Sequence, residues 1–306
     1  MYVTRDTIVK GGGYFKAGDN VEVRSESEIA VTLDENGMLD GLPFMPEMKK
    51  YCGSRFEITA PVTKALVEGT GYRIFDDLVL LDCAFCDGSA HDGCQRMCNI
   101  LWKTSWLKKI DSSVPNDGRT DKRRISQKSS IKFSAPCQSA NLKNAKAHVP
   151  FSFEDYVRRY IYKENFRRHW VLKKAGSLIL FLVLKVKRLF GGSHTIVGSL
   201  AKTPNDVLSL KKGENVIVKT KAEILATLDK NGKNRGLGFT PEMLKYCGKR
   251  LSVLRPVTRI IDEESGEARQ ISHTVILENA RCDGRYHAKC PRRCYLLWRE
   301  TWLKRV

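Results

Sequence analysis

Cys86, His91, Cys94 and Cys98 recur later in the chain as Cys282, His287, Cys290 and Cys294. In both places the gaps are four residues, then two, then three. Three thiolates and one imidazole at such spacing can close around a single tetrahedral ion, and zinc suits that donor set best. Four protein ligands leave no position for water or substrate, so the expectation is two structural Zn2+ sites rather than a catalytic one. Disulfides or buried free thiols are the competing reading. Recurrence of both residue types and spacing favours the metal.

Other residues recur with the proposed ligands. Cys52 and Cys247 each stand in Tyr-Cys-Gly; as nucleophiles they lack a second histidine common to both copies, and they read as structural thiols or substitute ligands. Glu47 and Glu242, with Asp87 and Asp283 beside the first ligand cysteine, could serve hydrolysis only at an open metal. With a closed one they cap a helix or accept hydrogen bonds at the metal loop. Asp34-Glu-Asn-Gly and Asp229-Lys-Asn-Gly resemble the start of a calcium loop but lack its remaining ligands, so they read as turns.

These residues must be held by elements that themselves recur. Gly18 to Gly53 aligns with Gly213 to Gly248, sharing N-V-x-V, T-L-D-x-N-G, P-E-M and K-Y-C-G. The Trp-x-x-x-Trp-Leu endings match as well. Copies this similar should adopt one fold. Alternation marks Asn20-Val-Glu-Val and Asn215-Val-Ile-Val as first strands, and a short helix from Glu223 should stop at Asp229. Thr240-Pro241-Glu242 reads as a helix start, and Arg250–Leu254 and His273–Leu277 as strands. Cys294, Trp298 and Trp302 are spaced by four, which predicts a final helix with a ligand and two indoles on one face. The expected class is α+β: two homologous small β-barrel-like zinc-stabilised domains joined by a basic, partly helical linker.

The boundaries follow composition: a first zinc repeat over 1–110, a basic flexible linker over 111–150, a helical segment with a short apolar run over 151–192, and a second zinc repeat over 193–306. The chain has 306 residues, 42% of them hydrophobic, and a formal net charge of +19 carried by the middle and second half. Such an excess points to an anionic surface or a partner protein. Nucleic acid is the alternative, since Arg281, Arg285, Arg292, Arg293 and Arg299 lie near Trp298 and Trp302. The apolar run over 178–190 is too short to span a membrane and could contact one peripherally. With no secretory signal read at the start, ten cysteines imply a reducing, cytoplasmic setting, peripheral to a membrane if that run touches lipid. The functional expectation is a non-enzymatic tandem interaction or adaptor module without a small-molecule substrate. A nucleic-acid-binding protein, or an enzyme using a reactive cysteine or labile zinc, are the alternatives.

Over nearly its full length the chain resembles a bacterial tandem-repeat family. The resemblance is carried by L-D-E-N-G, G-L-P-F-M-P-E-M, Y-C-G, the C-D-G-S-A-H loop with its following cysteines, and the W-K-x-x-W-L ending, at 33–37, 41–48, 51–53, 86–98 and 102–107. It implies a diverged second copy after a spacer, and brings no activity, substrate or catalytic residue. The second metal loop is often altered in such proteins. Here Cys282, His287, Cys290 and Cys294 are all present.

Overall fold

A computed structural model describes residues 15–67, 71–110, 136–145, 148–149, 196–287 and 289–306. The helical segment expected over 151–192, with its apolar run, lies outside the described residues. The fold is mixed, with more strand than helix and a curled half-barrel sheet.

Strands β1 (Asn20–Val23), β4 (Arg55–Pro61), β7 (Leu78–Phe85), β8 (Asn99–Lys103) and β9 (Leu107–Lys109) form one five-stranded sheet in the order β8-β7-β4-β1-β9. A second sheet repeats that order with β11 (Asn215–Val218), β14 (Arg250–Ile261), β15 (Ala268–Arg281), β16 (Tyr295–Arg299) and β17 (Leu303–Arg305). Every pairing within them is antiparallel. Two-stranded pairs, β2 (Met38–Leu39) with β3 (Leu42–Pro43) and β12 (Lys233–Asn234) with β13 (Leu237–Gly238), complete each half.

Helix α3 (Lys221–Leu225) starts two residues before the expected Glu223 and ends short of Asp229, and α1 (Glu26–Ala30) is its counterpart; each has a capping box, Ser25 with Glu28 and Thr220 with Glu223. Reciprocal side-chain bonds satisfy amides that the first turn leaves open. The Asn-Gly segments are turns, with Asp34 and Asp229 each accepting amide bonds two and four residues ahead.

The expected final helix is instead strand β16, a 3-10 turn (Glu300–Trp302) and strand β17. Leu296 and Trp298 alternate inward along the strand, while the turn resets the phase so that Trp302 also faces the core. A spacing of four therefore mimicked a helix. Trp102, Trp106, Trp298 and Trp302 are wholly buried, and truncating such a residue costs about 3–5 kcal/mol. Phe44 packs edge-on against Trp106 at 5.4 Å, as Phe239 does against Trp302 at 5.3 Å.

Part of the expected flexible linker is ordered structure. Helix α2 (Gln138–Ala145) docks on the first half, and β10 (His148–Val149) pairs with β6 (Gly71–Ile74), which pairs with β5 (Lys64–Val67). Composition reads this stretch as polar, yet Gln138 and Ser139 of α2 are buried. The Gln138 amide donates to the carbonyls of Pro43 and Leu101, both at 3.0 Å, and accepts the Leu101 N–H at 2.9 Å.

The two halves interlock. In the second half, β14 and β15 continue as a long hairpin whose tip reaches the first half, where Ile261 packs with Cys94 and Ala140 of α2. Reciprocally, β5 reaches the second half's metal loop, and Cys290 joins the first half's core. Buried Arg292 forms a two-pronged ion pair with buried Glu263 (2.7 and 3.0 Å) and also donates to the Leu66 carbonyl and Ser139 hydroxyl. The Arg281 guanidinium lies against the rings of both Phe85 and Tyr295, at 4.8 and 4.0 Å.

Candidate metal centres

Glu47, Cys86 and His91 converge in the first half, and Glu242, Cys282 and His287 in the second. Within each trio the ligand atoms lie within 4.8 Å of one another, as in a pocket that could hold a metal ion.

Each half builds its trio the same way. The glutamate sits on a 3-10 turn, Pro46–Tyr51 or Pro241–Tyr246, begun by the fixed φ of proline. The same turn carries Tyr51 or Tyr246. Tyr51 donates to the carbonyl of Phe85, the residue before Cys86, at 3.0 Å; Tyr246 donates to the carbonyl of Arg281, before Cys282, at 3.0 Å. A lysine from the turn holds the acid just after each cysteine: Lys50 to Asp87 at 2.5 Å, Lys245 to Asp283 at 2.9 Å. P-E-M and K-Y-C-G are thus one device that presents a carboxylate and anchors both sides of a cysteine.

The loop then doubles back on a glycine. Gly88 has φ +75°, and a Cβ there would lie 1.9 Å from the Cys94 carbonyl oxygen; at Gly284, with φ +70°, the distance to the Cys290 oxygen would be 2.2 Å. The histidine amides bond back to these glycine carbonyls, at 3.0 and 2.9 Å.

In the first trio Cys86 Sγ donates to Glu47 Oε1 at 3.1 Å, and His91 Nε2 lies 3.0 Å from the same oxygen. In the second, His287 Nε2 is 2.8 Å from Glu242 Oε1 and Cys282 Sγ is 3.8 Å from it. Burial alone would raise the carboxyl pKa of Glu47, but hydrogen bonds from His91 and Cys86 reverse it and hold the group low. Glu242 is likewise lowered, burial being outweighed by His287. Burial pushes the Cys86 thiol far up. Hydrogen bonds to Cys282 and Glu242 raise His287 to about 10.

Of the eight ligands expected from spacing, Cys86, His91, Cys282 and His287 enter the trios, whereas Cys94, Cys98, Cys290 and Cys294 do not. The interlock draws two of these away: Cys94 Sγ accepts the Ile261 amide at 3.3 Å, and Cys290 Sγ accepts the Leu66 amide at 3.5 Å. Cys98 and Cys294 sit beside the Arg292–Glu263 pair, and burial raises both thiols, Cys294 to about 12. The sequence reading of Glu47 and Glu242 is helix capping or accepting hydrogen bonds at the metal loop, and both accept from that loop's side chains. Their shared place in P-E-M was the available signal, and only the fold brings them across to the cysteine.

The remaining candidates sort themselves by surroundings. Cys52 and Cys247 stand outside the trios, packed against the cores, with Cys52 raised to about 12 by burial. That is the environment of an inert thiol. Gly53 and Gly248, after the 3-10 turns, have φ of 72° and 76°. Arg292 and Arg299 are buried and bonded internally, and Arg281 is stacked; Arg285 and Arg293 remain exposed. The basic surface expected near the tryptophans is therefore narrower than the sequence implies. Among the described residues no helix is long and apolar enough to cross a membrane.

Comparison with known family models, curated proteins and solved structures finds no match to this chain.

Proposed function

We propose that this protein is a non-enzymatic binding module, two copies of one unit each stapled by a zinc ion at its Glu-Cys-His trio. The observation that carries this is a pair of orphaned atoms: Glu47 Oε2 and Glu242 Oε2 are both buried without a hydrogen-bond partner among the described residues. A buried carboxylate oxygen without a partner costs about 1–3 kcal/mol or more, and its occurrence in both halves argues for a cation that it serves. One sulfur, one imidazole nitrogen and one carboxylate oxygen fit a borderline ion, zinc foremost. Bound there, such an ion would supply charge neutralisation and a rigid cross-link between the 3-10 turn and the metal loop.

An adaptor role fits the described cysteines, which lie in a trio, a core or the interlock with one exposed exception, Cys83. The positive excess then addresses an anionic surface or an acidic partner protein. The family resemblance, a tandem architecture with no attached activity, agrees with this reading. Metal analysis of the full chain purified without chelator should give two zinc ions per molecule, and Glu47→Gln with Glu242→Gln should lower both affinities. A metal-free chain that keeps its fold and takes up no zinc would overturn the proposal. For the partner, capture from native cells with membranes retained should return an anionic lipid or an acidic protein, whereas nucleic acid alone would favour the alternative.

A further inference from the structure

The two trios are unequal. In the first, Met45 Sδ lies 3.1 Å from His91 Nε2, a thioether beside the three ligand side chains. Helix α2 lies over that sulfur, with the backbone N–H of Gln138 donating to it at 3.4 Å. Met45, Glu47, Cys86 and His91 are all buried. A cleft of about 430 Å³ runs between α2 and the β14–β15 turn past His91, and neither Glu47 nor Cys86 lines it.

The second trio has Thr240 where the first has Met45. Its hydroxyl is buried beside the Glu242 carboxylate and helps to hold that group's pKa low. His287 has 30% of its side chain exposed, against 4% for His91. Cys282 is only partly buried, and Cys282 Sγ stands farther from its glutamate than Cys86 Sγ does. The loop surface differs as well. Exposed Arg285, Tyr286 and Lys289 replace Ser89, Ala90 and Gly93.

We infer that the second trio is a metal site with one open coordination position, reserved for a small anion, whereas the first is closed by the Met45 thioether. The inference rests on the proposed metal reading and adds to it a ligand class. A four-coordinate ion held by three protein groups keeps a place for an outside ligand. At the first trio the thioether stands 3.1 Å from His91 Nε2 as a fourth donor, beneath α2. At the second, a hydroxyl is a poor ligand for a soft ion but a good hydrogen-bond donor to an anion bound beside it. Arg285, 4.0 Å from Asp283, and Lys289 put positive charge on the loop that carries His287, which favours a carboxylate or comparably small anion there.

Cobalt(II) replaces zinc with a visible spectrum that reports coordination. The full chain loaded with two equivalents of cobalt should respond saturably to azide, with about half of the visible absorption shifting. Thr240→Met should keep both ions and lose the azide response. Met45→Thr should add a response from the first site, and Arg285→Ser should weaken azide binding about 3–10-fold with cobalt content unchanged. Acetate should compete with azide. Two bound cobalt ions that both ignore azide, or a response that survives Thr240→Met, would overturn the inference while leaving the metal reading intact. Failure to bind cobalt at all would overturn both.

Discussion

Cys94 accepts the amide of Ile261 from the opposite half, and Cys290 returns the relationship by accepting the amide of Leu66. Each half thus completes the other's loop, and the Arg292–Glu263 pair is buried where they meet. The halves should unfold together in one transition. Arg292→Met, which deprives a buried carboxylate of its two-pronged partner, should cost about 3–5 kcal/mol, and Arg292→Met with Glu263→Leu much less. Denaturant melts of the two variants decide it; two separate transitions in the parent protein would refute the interlock.

Glycines 88 and 284 set the path of both metal loops. Gly88→Ala should place a methyl carbon into the Cys94 carbonyl and demand a left-handed backbone that alanine resists. Loss of one metal equivalent and a stability loss of more than about 2 kcal/mol are expected. Gly93→Ala is a useful comparison, because that position has a similar φ and open space. Metal content should separate the two.

His287 gives the metal-free protein a pH signature. Its pKa is raised to about 10 in the folded state, by Cys282 first and Glu242 second, against an ordinary value near 6.5. The contribution to stability is therefore full below about 6.5 and is lost as pH rises through 10. Chelated protein should soften over that window, and His287→Gln should flatten the profile. Zinc, which competes with the proton for the same nitrogen, should reverse the slope, since loading becomes harder as pH falls. Thermal melts between pH 6 and 10, with and without zinc, test the sign.

Gln138 should behave as a core residue. Its side chain satisfies the Leu101 amide and two carbonyls in a buried setting. Gln138→Leu should cost about 2–4 kcal/mol by stranding those groups. A change below about 0.5 kcal/mol would show that α2 is a dispensable attachment.

Much of the scaffold was legible because it depends on local rules. The first strands at Asn20 and Asn215, the Asp-x-Asn-Gly turns and the glycines after Tyr-Cys all form between near neighbours. What failed depends on distance. Trp298 and Trp302 share a face through strand pairing with β15 followed by a turn, and spacing alone cannot tell that from a helix. Half of each expected ligand set lies outside the trios for a related reason. Cys94 and Cys290 look like neighbours of a histidine in sequence, but their environment is set by a hairpin from the other half. Glu47 and Glu242 gain their meaning only when the 3-10 turn folds over the loop. The linker misled because Gln, Ser and Asn suggest solvent, and here each finds an internal partner.

The exchanged contacts also bear on how the chain is made. A ribosome releases the first half long before Cys290 and Arg292 exist, so the seat on β5 that they fill stands empty while the rest is translated. Maturation of the first half must wait for Cys290 and Arg292 to be made, and a message truncated between the halves would yield a product with an unfinished interior.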